Sequence, residues 1–189
     1  MLQSWSMRLS FKLSCAYAGS TAEARQVHDL KEFARSAADL VRRATALPSV
    51  HVECLGDADL VRLNGRASQL QQLAINLLLN AVQAESHGGH IRIAAHRDCR
   101  PFIRKGLKIG PSKYVCLVVD DEGTGMTPQV LERIFEPMFT TREAEHAVGL
   151  GLTAVAAIVE EHRGFVEVTS GPGLGTRVAV FLRADLSDA

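Results

Sequence analysis

The chain has 189 residues, 47% of them apolar, with 21 basic and 21 acidic side chains. That length fits one domain with a short appendage, the apolar share supplies a full core, and the zero net charge argues against a nucleic-acid or membrane-surface protein. Cys15, Cys54, Cys99 and Cys116 are scattered without a CxxC pair, as expected of reduced thiols in the cytoplasm rather than a disulfide frame or zinc site, and no apolar run is long enough to span a membrane.

Residues 1–27 are expected to be an N-terminal segment, either a linker or the remnant of a preceding region, with residues 28–189 as the folded domain. The start, MLQSWSMRLSFKLSCAYAGS, has its apolar run broken by Ser and Lys, which argues against a cleaved leader. From Asp29, the spacing of Leu30, Phe33, Ala34, Ala37, Leu40, Val41 and Ala44 predicts an amphipathic helix that ends before Pro48. His28 is expected in the cap region of this helix. Val50 to Leu55 alternates like a strand, and Leu60 to Leu63 reads as a second short one after a Gly-Asp turn.

Gln69 to Ala84, QLQQLAINLLLNAVQA, contains neither Gly nor Pro and predicts a helix. At about 100° per residue, Gln72, Asn76, Asn80 and Gln83 share an arc of roughly 80°. Leucines, Ile75, Ala81 and Val82 fill most of the remainder, so the helix is expected to be buried, and its amides must be satisfied. Either they bond to backbone and water, or the stripe faces a polar ligand; a carboxamide oxygen is a hard ligand suited to Mg²⁺. The helix is expected to stop at His87-Gly88-Gly89.

His90 to His96 alternates as a strand, and residues 97–113 read as an exposed hairpin loop. Tyr114 to Val119 is uniformly apolar, a strand buried on both faces. It runs into DDEGTGM, a D-x-G-x-G turn at Asp121, Gly123 and Gly125. This is either an ordinary Asp-Gly turn or a site where glycines admit a flat ligand and the carboxylate accepts from an exocyclic amine such as adenine's. A short helix from Pro128 to Ile134 follows. Residues 135–148 form a loop, with Phe135, Met138 and Phe139 as candidate anchors. Thr140, Thr141 and Arg142 could meet phosphate oxygens, or the loop is simply solvated. Gly149 to Leu152, GLGL, opens a helix to His162, expected to be capped by Gly164. Its bare N-terminus suits phosphate, though helix packing explains such glycines equally well. Phe165 to Thr169 and Thr176 to Leu182 are strands joined by GPGLG.

The ordered motifs NLLLNA from Asn76, DEGTG at 121–125, FEPMFTT at 135–141, GLGL at 149–152 and GPGLGT at 171–176 resemble the catalytic and ATP-binding domain of sensor histidine kinases, most nearly the nitrogen-regulation type. Within the wider Bergerat-fold superfamily, the resemblance implies an α/β (α+β) two-layer sandwich. Its mixed, mostly antiparallel sheet would be covered on one face by about three helices. It implies ATP and Mg²⁺ as cofactors. Asn80 would hold the metal and Asn76 a metal-bound water or phosphate. Asp121 would accept from adenine, with Gly123, Gly125, Met126 and Thr176 completing that pocket. Residues 135–148 would be a lid bringing Phe139, Thr140, Thr141 and Arg142 to the nucleotide, and Gly149, Leu150, Gly151 and Leu152 would present amides to the phosphates. Gln83, counted with the nucleotide-binding residues, replaces a basic residue seen in many relatives, which removes one phosphate contact; Arg142 stands where relatives often carry Lys, and Ala147 replaces a common lid glycine.

Asn76 stands where ATPase branches and anti-sigma-factor serine kinases usually carry Glu. An Asn cannot take a proton, which favours transfer to a histidine, already nucleophilic, with Asn76 and Arg142 as the residues placed in catalysis. The implied partners are a dimerisation and phosphoacceptor domain and a response regulator, with no nucleic acid and no membrane contact. No H-E/D-x-x-[NT]-P phosphoacceptor motif occurs. The alternatives are a non-catalytic nucleotide-binding module and a superfamily ATPase.

Overall fold

The computed structural model of the chain describes residues 3–9, 23–44, 50–55, 60–85, 88–97, 102–104, 107–109, 114–141 and 150–185. Its main sheet has six strands. In chain order these are β1 (Trp5–Leu9), β3 (Val50–Leu55), β5 (Gly89–Arg97), β8 (Tyr114–Asp121), β9 (Phe165–Ser170) and β10 (Thr176–Arg183), arranged in space as β1-β9-β10-β8-β5-β3. Two smaller ribbons pair β2 (Gln26–Asp29) with β4 (Arg62–Gly65) and β6 (Phe102–Arg104) with β7 (Leu107–Ile109). The helices are α1 (Leu30–Ala44), α2 (Ala67–Ala84), the short α3 (Pro128–Leu131) and α4 (Gly151–Glu161). Among the described residues no helix is long and apolar enough to cross a membrane.

The expected sandwich is present: a mixed, mostly antiparallel sheet with α1, α2 and α4 on one face. The core between the layers takes Ala34, Ala37 and Val41 from α1, Leu70, Leu73, Leu77 and Leu78 from α2, Val155 and Val159 from α4, and Ile91, Ile93, Val115, Leu117, Val166 and Val180 from the strands. Strand alternation sends Tyr114, Cys116, Val118, Phe165, Ala179 and Phe181 to the opposite face, where they form a second buried cluster. This is why β8 reads as continuously apolar.

Several local expectations change. The strand expected at 60–63 lies at Arg62–Gly65 and pairs antiparallel with β2, Leu63 opposite His28. β3 pairs instead with β5, in parallel. A parallel pair needs a long crossover, and α2 supplies it. His28 is thus a strand residue, its ring edge-on to Phe33 at 5.4 Å. Asp29 caps the start of α1, its Oδ1 accepting from Lys31 N at 3.1 Å and from Val61 N at 3.2 Å. Helix α3 ends at Leu131 rather than Ile134. The left-handed residue after α4 is Arg163, φ 53°, not Gly164. Gly164 is needed for space: a Cβ there would stand 2.2 Å from the Phe181 carbonyl oxygen.

The segment before residue 28 is structured where it is described. β1 is an edge strand of the main sheet. The Glu23 carboxylate meets the Ser68 amide at the start of α2, and the Arg25 and Arg66 guanidinium groups meet Glu161 at the end of α4.

Candidate functional site

The amide stripe of α2 opens outward. Gln72 and Gln83 are exposed, and Asn76 and Asn80 are half-buried. The stripe is wider than polar spacing suggests, because Leu79 beside Asn80 is 36% exposed. Asn80 lies against the start of α4: a Cβ on Gly151 would stand 3.3 Å from Asn80 Oδ1 and 3.6 Å from Nδ2. Glycine leaves room for the carboxamide beside the start of this helix. The N-cap of α4, Leu150, supplies no side-chain acceptor, so among the described residues no side chain caps its first-turn N–H groups. Asn80 Nδ2 and Thr153 Oγ1 are buried there without a hydrogen-bond partner among the described residues. Unpartnered buried donors at a helix start suit anionic oxygens. Leu150 is exposed, and Leu152 packs partly against the core.

A second cluster forms where β8 ends. Asp121 Oδ1 accepts from Gly123 N at 3.0 Å and from Thr176 N at 3.1 Å. No described residue bonds Oδ2, which leaves that oxygen for a donor on a ligand. Burial, the larger effect, pushes the Asp121 carboxyl up to about 6 against the two amide bonds, and Glu85 and Asp120 add repulsion. Ser170, which the sequence reading overlooked, organises the rest. Its hydroxyl accepts from Met126 N at 2.9 Å, donates to the Gly175 carbonyl at 3.0 Å, and lies 3.0 Å from Thr176 Oγ1. A serine ending a strand just before GPGLG was the only available signal.

The glycines of this turn face backbone as well as any ligand. A Cβ on Gly123 would stand 2.6 Å from the Ala84 carbonyl oxygen, and one on Gly125, φ 64°, 1.9 Å from that of Gly171. Thr124 N donates to Ala84 O at 3.2 Å. The two clusters are thereby joined, since Ala84 is one helical turn beyond Asn80, about 6 Å along α2. The carboxamide ridge, the Asp121 turn and the tip of α4 converge on the last two turns of one helix.

The loop after α3 is anchored at Phe135, which is buried, and at Phe139, half-buried with the Arg133 guanidinium 4.4 Å above its ring. Met138 does not anchor it: the residue is 73% exposed with φ 63°. Thr140 is half-buried and Thr141 exposed. Arg142, Ala147, Gly149 and the rest of 142–149 lie outside the described residues, as does His87.

Residues 65–186 match the model of the histidine kinase-, DNA gyrase B-, and HSP90-like ATPase family. The chain belongs to this family. Among curated relatives of this ATPase domain, the sensor kinase CckA of Brucella abortus is 37% identical over 66% of the chain and 13% of CckA. The sensory histidine kinase/phosphatase NtrB of Rhodobacter capsulatus is 34% identical over 78% of the chain and 40% of NtrB. The domain thus spans well under half the length of these relatives. Solved structures share its fold. The mycobacterial sensor histidine kinase MprB aligns with a TM-score of 0.66 at 22% identity, over 85% of this chain and 97% of the solved MprB chain. The catalytic domain of histidine kinase ThkA aligns with a TM-score of 0.65 at 22% identity, over 84% of this chain and 96% of that one.

Proposed function

We propose that this ATPase-family domain is the ATP-binding catalytic part of a cytoplasmic two-component sensor kinase. It would transfer the γ-phosphoryl of MgATP to a histidine on a separate dimerisation domain, from which a response-regulator aspartate takes it. The observation that carries this reading is the convergence of Asn80, the Asp121 turn and the N-terminus of α4 on the end of α2.

Each residue has a task in this reading. Asp121 Oδ2 accepts from the adenine amine, while Thr176 and Ser170 hold its partner oxygen and the turn in place. The first-turn amides of α4, Gly151 and Leu152 among them, and the Asn80 carboxamide receive the phosphates. Met126, Phe139 and Thr140 border the nucleotide, with Thr141, Arg142 and Gly149 assigned by motif alone. Among the described residues no three His, Cys, Asp or Glu side chains could hold a metal together. The Asn80 carboxamide, half-buried beside the start of α4, fits Mg²⁺ brought in on phosphate oxygens, since this ion keeps most of its ligands from phosphate and water. When bound, the ion neutralises phosphate charge. Asn76, half-buried on the same stripe, orients without taking a proton. No general base is required for an imidazole acceptor, and catalysis rests on placement.

The test mixes the chain with a purified histidine-kinase dimerisation domain and labelled ATP. The expected result is acid-labile, alkali-stable label on the dimerisation-domain histidine, lost with Asn80→Ala. ATP binding without transfer supports a regulatory nucleotide-binding module instead. Phosphate release by the chain alone, abolished by Asn80→Ala, supports a free ATPase.

A further inference from the structure

The edge strand β1 lies outside the family match at 65–186, yet it pairs with the strand that ends at the proposed nucleotide site. It runs antiparallel to β9, with Trp5 opposite Ser170 and Leu9 opposite Val166. Ser170 is the residue whose hydroxyl holds Met126 N and meets Thr176. Gly171 extends the contact. A Cβ there would stand 2.6 Å from the Gln3 carbonyl oxygen and 3.2 Å from Ser4 Cα. The Gly171 carbonyl oxygen in turn packs on Gly125, where a Cβ would be only 1.9 Å from it. The backbones of Gln3–Ser4, Gly171 and Gly125 are thus stacked with no side chain between them.

We propose that β1 is a positioning element of the nucleotide site: its docking on β9 holds Ser170, Gly171 and hence the Asp121–Gly125 turn in the ATP-binding geometry. This rests on the nucleotide-site reading above. A five-residue edge strand with half-buried Trp5 and Met7 opens locally at lower cost than the sheet behind it. Whatever docking does for ATP affinity, ATP does equally for docking, by linkage, and such couplings span about 5- to 150-fold.

Hydrogen exchange on the intact chain, with and without saturating MgATP, decides the matter, with binding verified by calorimetry in the same sample. The expected result is slowing of β1 amides by about fivefold or more, with no slowing in β3, the edge strand on the opposite side of the sheet. A chain lacking residues 1–9 gives the size of the coupling, as an ATP dissociation constant raised about fivefold or more with a cooperative melt retained. Where the truncated chain does not fold, the exchange result stands by itself. ATP bound with β1 exchange unchanged, or with β1 and β3 slowed alike, overturns the coupling and leaves the nucleotide site intact. Absence of ATP binding to the intact chain overturns both.

Discussion

Asp121 is where a single residue carries most. Its carboxyl sits near 6 instead of the ordinary 3.8, chiefly through burial. A raised acid means that the folded state holds the proton more tightly than the unfolded chain. Its contribution to stability is therefore greatest below pH 3.8, declines as pH rises to about 6, and is flat above that. Asp121→Asn keeps an oxygen for Gly123 N and Thr176 N but removes the buried charge. Thermal melts should show this variant at least as stable as the parent at pH 8, with its advantage shrinking below about pH 6. Nucleotide binding should move the other way. The ionised carboxylate is the better acceptor for an amine, so ATP affinity of the parent should fall below about pH 6, while Asp121→Asn binds at least tenfold more weakly at pH 8, a loss of about 1.4 kcal/mol. A titration showing parent and variant equal at pH 8 would remove Asp121 from the adenine pocket.

At the scale of elements, α2 was the most legible part of the chain. Its lack of breakers and its amide stripe are both local, periodic signals, and the stripe is exposed at its ends, Gln72 and Gln83, with Asn76 and Asn80 half-buried between them. What periodicity could not convey was how the glycine turns are used. The sequence leaves Gly125 open between an ordinary Asp-Gly turn and room for a flat ligand; its nearest neighbour is the backbone of Gly171. Gly125→Ala would force a Cβ into that carbonyl at φ 64°, where a side chain also strains the backbone. We expect a loss of roughly 2–4 kcal/mol in urea unfolding, the size seen for overpacking combined with backbone strain, together with loss of ATP binding. An unchanged midpoint would mean that this contact relaxes freely. The end of α4 makes the same point in reverse, since Gly164 was read as a conformational cap and instead makes room for β10.

The whole molecule adds a feature of the sheet's outer face. Toward one end lies the apolar cluster, with Phe165 and Phe181 stacked at 4.4 Å and Tyr114 edge-on to Phe165 at 5.4 Å. Toward the other end, one register line crosses all six strands: Glu53, Arg92, Asp120, Arg177, Thr169 and Ser6. Arg177 grips both Asp120 oxygens at 2.8 and 2.9 Å, and Thr169 donates to Ser6 at 3.2 Å. The two ends should differ sharply in weight. Phe181→Ala should cost about 3–5 kcal/mol by urea denaturation through lost burial and a residual cavity. Arg177→Ala, whose pair is solvent-screened, should cost under about 1 kcal/mol. Equal costs would show that the charged ladder, rather than the aromatic cluster, holds this face.

The sequence by itself determined the helices and most strands, because hydrophobic period and helix or turn breakers act over a few residues. It also determined the identity of the site motifs and, through Asn76, the absence of a carboxylate base at that position. Only the tertiary structure decided which motifs meet. That Asn80 lies beside Gly151, that Ser170 ties Met126 to Thr176, that β3 pairs with β5 rather than with its neighbour, and that β1 completes the sheet all depend on contacts between residues far apart in the chain. No local pattern encodes such contacts, because their energy comes from the packing of two layers against each other.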